Sequence, residues 1–169
     1  MSKKTSATEI NLQCIDAIEV SLSIEKEGFV FYDKASRQAQ IPEVKEIFRR
    51  LADEEKEHIQ TLQAKAKFLQ PALRRKRESG KGVESFIDRE LKGRIFPLQE
   101  KSEFTLAQVE DDMQALEIGI QSERRSIEVL RGLLEKERKI DVRAIFSHLM
   151  VEEKKHLAAL EELKKSLKS

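Results

Sequence analysis

The strongest constraint on this chain is an internal repeat. Displacing the sequence by 98 residues lays its first half on its second without a gap. Ala17 then meets Ala115, Glu19 meets Glu117, Glu25 meets Glu123, Val44 meets Val142, Ile47 meets Ile145 and Phe48 meets Phe146. The register continues through Leu51/Leu149, Glu54/Glu152, Glu55/Glu153, Lys56/Lys154, His58/His156 and Leu62/Leu160. Each copy holds two runs in which apolar residues step by three and four, the pattern of one buried helical stripe. The first run carries Ile15, Ile18, Leu22, Glu25, Phe29 and Tyr32. The second opens near Ile41-Pro42, where proline suits a first helical turn, and carries Val44, Phe48, Leu51, Glu55, His58 and Leu62. The third is read as capped by Thr105 with Gln108 in capping-box spacing, followed by Met113, Leu116, Ile120, Glu123, Ile127 and Leu130. The fourth carries Val142, Phe146, Leu149, Glu153, His156, Leu160 and Leu163. Helices of about 25 to 30 residues, roughly 40 Å long, are expected. Turns of a few residues make each pair an antiparallel hairpin. The expected fold is therefore all-α: a single domain over 1–169 built as an antiparallel four-helix bundle from two duplicated hairpins, about 9–69 and about 105–168, with a long crossover over about 71–104.

Composition agrees with long amphipathic helices. Charged residues are 37% and hydrophobic ones 39%, with 5% aromatic and three Pro, which disfavours a sandwich or barrel. Lys and Arg (32) nearly balance Asp and Glu (31), so no overall field draws the chain to nucleic acid or an anionic membrane. The single cysteine, Cys14, excludes an internal disulfide framework, a CxxC redox pair and a zinc-ribbon or rubredoxin-type iron site within this chain. The opening Met1-Ser-Lys-Lys-Thr-Ser leads into mixed polar sequence with no apolar run for a signal peptide or membrane span, so a cytoplasmic protein is expected. The crossover contains Gly80, Gly82, Gly93 and Pro97, and its length exceeds the dozen or so extended residues needed to return along a helix. Phe86, Ile87, Leu91, Ile95 and Phe96 are too apolar for a free tether. They predict a segment lying against the bundle, with a short helix near Val83 to Leu91; exchange of hairpins between two chains is equally allowed. The basic run Leu73-Arg-Arg-Lys-Arg77 sits among nine basic and six acidic residues with little aromatic interleaving, and reads as solvated linker.

What interrupts the stripes is the functional signal. Each helix places a glutamate at a core position, and two add a histidine one turn later: Glu25, Glu55 with His58, Glu123, and Glu153 with His156. Desolvating an ionised carboxylate costs several kcal/mol even after relaxation. Two unit charges about 4 Å apart interact by roughly 4 kcal/mol at an effective dielectric of 20, so four bare carboxylates around one axis repel strongly. Two divalent cations would cancel that charge. Glu25 precedes Glu55 by 30 residues, as Glu123 precedes Glu153, which sets both groups at one height in hairpins with equal turns. Glutamate is common here, 24 of 169 residues, yet finding one both 3 and 33 residues before each of two histidines has a chance probability of roughly one in a thousand. The alternative is a metal-free polar layer that fixes bundle register. Glu27 lies about 200° around the helix from Glu25, and its counterpart is Arg125.

The stretch Ile24-Glu-Lys-Glu-Gly-Phe-Val-Phe-Tyr32, then Phe48-Arg-Arg-Leu-Ala-Asp-Glu-Glu-Lys-Glu-His58, resembles the rubrerythrin branch of the ferritin-like superfamily. The second half repeats the likeness with Glu123 and Phe146-Ser-His-Leu-Met-Val-Glu-Glu-Lys-Lys-His156. The resemblance implies a ferritin-like bundle holding two iron ions, with manganese or zinc as substitutes, on Glu25, Glu55, His58, Glu123, Glu153 and His156. It implies a peroxidase or oxidase acting on hydrogen peroxide or dioxygen, with Tyr32 hydrogen-bonding a carboxylate ligand. Rubrerythrins proper carry a rubredoxin domain with four cysteines, whereas no cysteine follows Cys14; an external redox protein is then the electron donor, and a homodimer is expected. Tyr32 has Leu130 as its counterpart, which implies an asymmetric site. Ile120 stands where peroxide-reducing members tend to carry an additional glutamate. The rival readings are a ferritin-like ferroxidase for iron handling and a non-enzymatic helical scaffold.

Overall fold

A computed structural model describes residues 12–73, 80–97 and 111–169. They form five α-helices: α1 (Cys14–Gln38), α2 (Pro42–Leu73), α3 (Gly80–Phe86), α4 (Asp112–Lys136) and α5 (Ile140–Ser166). One π-helical turn, Ile87–Leu91, continues α3. No strand occurs among the described residues, and none of their helices is long and apolar enough to cross a membrane. The four long helices coincide with the four periodic runs. Pro42 opens α2, where its missing N–H and fixed φ cost nothing. The short helix expected near Val83 to Leu91 is present as α3 and its π turn. The cap of α4 is Asp111, whose side chain accepts from the Gln114 N–H at 2.7 Å. Thr105 and Gln108, the expected capping pair, lie outside the described residues, as does the basic run 74–77.

Two polar contacts fix the relative direction of the hairpins. The Asp112 carboxylate accepts from the backbone N–H groups of Gln40 (2.9 Å) and Ile41, which ties the start of α4 to the turn between α1 and α2. At the far end the Lys139 ammonium donates to the Leu12 carbonyl at 2.6 Å, joining the α4–α5 turn to the entry of α1. Hence α4 runs antiparallel to α1, and the crossover has travelled the length of the bundle. It returns along α1, which both α3 and the π turn touch.

This path explains where the sequence stripes fall short. On α1 the periodic reading placed Ile15, Leu22 and Phe29 inward, but these are half-buried, whereas Ala17, Val20, Ile24, Phe31 and Ala35 are buried. The crossover brings Val83, Leu91, Ile95 and Phe96 onto that side, all buried, so α1 is covered around most of its circumference. Phe31, Tyr32, Phe48 and Phe96 form one aromatic cluster with ring centroids 5.1 to 6.1 Å apart.

Candidate metal centre

All six residues singled out in the sequence converge in the middle of the bundle. Glu55, Glu123, Glu153 and His156 each offer a ligand atom within 4.8 Å of the others, and Glu25, Glu55 and His58 do the same. Glu55 belongs to both groups. The i, i+3 spacing turns each glutamate–histidine pair toward the axis, and hairpins of equal span bring α1 and α4 to the same level. The two imidazole rings lie 6.0 Å apart and nearly parallel, at 15°. His58 Nδ1 is 3.2 Å from Glu25 Oε2; His156 Nδ1 is 3.4 Å from Glu55 Oε1 and 3.6 Å from Glu123 Oε1. The groups differ in access. The four glutamates and His156 are at most 1% exposed, whereas the His58 side chain is 24% exposed.

The electrostatics describe a site short of positive charge. Desolvation, followed by the neighbouring Glu25 and Glu123 carboxylates, holds the Glu55 carboxyl well above the usual range. Desolvation and then Glu123, Glu55 and Glu25 do the same to Glu153. Burial opposes protonation of His156, but Glu123, Glu153 and Glu54 outweigh it and carry its pKa up to about 9. His58 is raised chiefly by Glu25. Four buried carboxylate oxygens here have no hydrogen-bond partner: Glu25 Oε1, Glu55 Oε2, Glu123 Oε2 and Glu153 Oε2. Buried polar atoms are ordinarily satisfied, so a concentration of unsatisfied carboxylate oxygens beside two imidazoles fits the donor set of divalent cations.

Side chains around the six orient them. Tyr32, buried and raised well above its ordinary pKa by desolvation and by Glu123, donates its hydroxyl to Glu123 Oε1. Leu130, its repeat counterpart, offers no such donor, so the halves are unequal here. Glu54 and Glu152 cross between hairpins: Glu54 Oε2 lies 3.2 Å from His156 Nε2, and Glu152 Oε2 lies 4.0 Å from His58 Nε2. Their repetition beside the principal glutamates was the only sequence signal for this. Gly28 is a contact that periodicity could not reveal, since an added Cβ there would stand 2.8 Å from Glu55 Oε1. Glu27 joins neither group. It faces the crossover, accepting from the Gly93 N–H at 3.0 Å, and burial pushes its pKa up to about 7 against the lowering by the Gly93 and Phe96 backbone and Lys92. His148 is exposed, and Cys14 is a free, half-buried thiol.

The rubrerythrin family model matches residues 16–164, a span holding α2 and α4 whole, all but the ends of α1 and α5, and all six converging residues. The chain belongs to the rubrerythrin family. No curated protein and no solved structure gives a significant match. Membership accords with the all-α, ferritin-like bundle and with a buried glutamate–histidine cluster able to hold metal.

Proposed function

We propose that this rubrerythrin-family chain is a non-haem di-iron oxidoreductase that reduces hydrogen peroxide or dioxygen with electrons from an external redox protein. The observation that supports the reading best is the pair of glutamate–histidine groups sharing Glu55, with their unpartnered buried lone pairs. Glu25, Glu55 and His58 would hold one ion, and Glu55, Glu123, Glu153 and His156 the other. Two bound ferrous ions would supply the two electrons that, with two protons, cleave the O–O bond of hydrogen peroxide to two waters; dioxygen, which takes four electrons and four protons, would draw its second pair from the external donor. Iron is the expected occupant, and manganese or zinc also suit nitrogen and oxygen donors. The protein's own contributions are positional. Tyr32 holds the Glu123 carboxylate through its hydroxyl, and the apolar wall of Phe31, Phe48 and Phe96 keeps water from that side. The half-exposed edge at His58 admits a small oxidant. We assign the supply of electrons to a separate redox protein meeting a cytoplasmic homodimer.

Ile120 favours a second reading. It is buried one turn before Glu123, so no additional carboxylate is available there to follow a change of iron charge. A ferroxidase that oxidises ferrous iron for handling needs no such group. Stopped-flow oxidation of the anaerobic Fe(II)-loaded protein by hydrogen peroxide and by dioxygen separates the two. Faster reaction with peroxide supports the peroxidase, and faster reaction with dioxygen supports the ferroxidase. Near-zero iron after anaerobic loading rejects both.

A further inference from the structure

The crossover is more than a return path, because its last described turn reaches the site. The Gly93 N–H donates to the buried Glu27 carboxylate on α1, and its φ of 72°, a left-handed conformation that favours glycine, turns the chain that follows. Two residues on, the Ile95 carbonyl accepts from Arg125 Nε on α4 at 3.0 Å. Arg125 also donates to Ser122 Oγ at 3.1 Å, which steadies the guanidinium. Positions 27 and 125 are repeat counterparts, 98 residues apart, yet one is acidic and the other basic. The acidic one takes a backbone N–H from the strap and the basic one serves a backbone C=O. An exact duplication could not grip both kinds of group.

What the grip holds is Phe96. Its ring is 1% exposed and lies 5.8 Å from the Tyr32 ring and 5.7 Å from that of Phe31, centroid to centroid. The spot above Gly28 where a Cβ would stand is 3.4 Å from Phe96 Cζ and 2.8 Å from Glu55 Oε1, so the ring and the shared carboxylate border the same small space. Phe96 therefore adjoins both the carboxylate common to the two groups and the tyrosine that orients Glu123. We propose that Glu27 and Arg125 are positioning residues that pin the crossover turn 91–96 from two helices and so set the Phe96 ring as a wall of the metal centre. This rests on the reading of the cluster as a metal site.

The test uses full-length protein loaded anaerobically with Co(II), whose visible ligand-field bands report ligand geometry. Removing a hydrogen bond to a charged group should speed amide hydrogen exchange over 93–96 by about tenfold or more in Glu27→Ala and in Arg125→Met. The same variants should shift the Co(II) bands and release Co(II) to EDTA faster than wild type. Glu27→Gln, which keeps an acceptor oxygen for the Gly93 N–H, should stay closer to wild type than Glu27→Ala. Phe96→Ala should reproduce the cobalt effects, with Phe96→Leu serving if alanine prevents folding, and adding Glu27→Ala to either should increase release little further. Faster exchange with unchanged bands and unchanged release would make the clamp purely structural and overturn the proposal, as would additive effects in the double variant. A wild-type protein that binds no Co(II) would reject the metal reading itself, and this inference with it; a wild type that binds while its variants behave alike would reject the inference alone.

Discussion

Replacing Gly28 with alanine should separate stability from metal binding, because the two respond to it with opposite signs. Within a helix glycine is less favourable than alanine by about 0.5–1 kcal/mol, so α1 by itself gains from the change. The new Cβ would stand 2.8 Å from Glu55 Oε1 and 3.1 Å from Glu55 Cδ, and ordinary contact begins at 3.4 Å. The Glu55 carboxylate must retreat by about 0.6 Å, which it can do by rotating its own side chain without moving the backbone. Metal–ligand distances tolerate only about ±0.2 Å, and Glu55 is the one residue common to both groups. Unfolding of the metal-free variant in urea should therefore show a stability within about 1 kcal/mol of wild type. Its affinity for Co(II), measured by competition with a chelator, should fall by about 10- to 100-fold, the range seen when the support of a metal ligand is disturbed. Gly132→Ala is the matched control. It lies in α4 with nothing within 4 Å of the added Cβ, so it should bring the helical gain and leave affinity unchanged. Wild-type affinity in Gly28→Ala would show that Glu55 does not serve the ions from this position, and the shared-ligand arrangement would have to be abandoned.

The metal-free protein should lose stability as the pH rises. Folded-state values for Glu55, Glu153, His58 and His156 are all raised, so the fold retains protons that the unfolded chain releases. For His156 the stabilisation is complete below about 6.5 and disappears as the pH passes about 9. Urea midpoints in chelator should accordingly be higher at mildly acidic than at mildly alkaline pH, and a flat or rising profile would contradict the assignment. Bound metal replaces those protons, and at a free concentration a thousandfold above Kd it should add about 4 kcal/mol at neutral pH; identical melting temperatures with and without chelator would refute this. Asp112→Ala should cost about 1.5–3 kcal/mol in urea unfolding, because it strips a charged acceptor from two backbone N–H groups at the turn between α1 and α2. A loss too small to measure would mean that the turn does not depend on α4.

The bundle was legible because a buried helical stripe has a period, and the site was legible because glutamate and histidine broke it at corresponding points of two copies. Glu25, Glu55, His58, Glu123, Glu153 and His156 meet as their spacing required. Periodicity could not say what covered the other side of α1. Phe31 and Glu27 lie off the stripe and are buried by a crossover whose path depends on Gly93, Ile95 and Phe96 meeting partners far away in sequence. Nor could spacing show that Glu54 and Glu152 each serve the histidine of the opposite hairpin, since that pairing exists only once the halves are apposed. The cap of α4 illustrates local ambiguity: Thr105 with Gln108 matched a capping box, while Asp111 carries the observed cap.

Of the six converging side chains only His58 touches bulk water to any extent. On the proposed reading, that ring is where an incoming ion or oxidant would first meet the ligand set. A molecule seated over that imidazole would then hinder ion and oxidant alike.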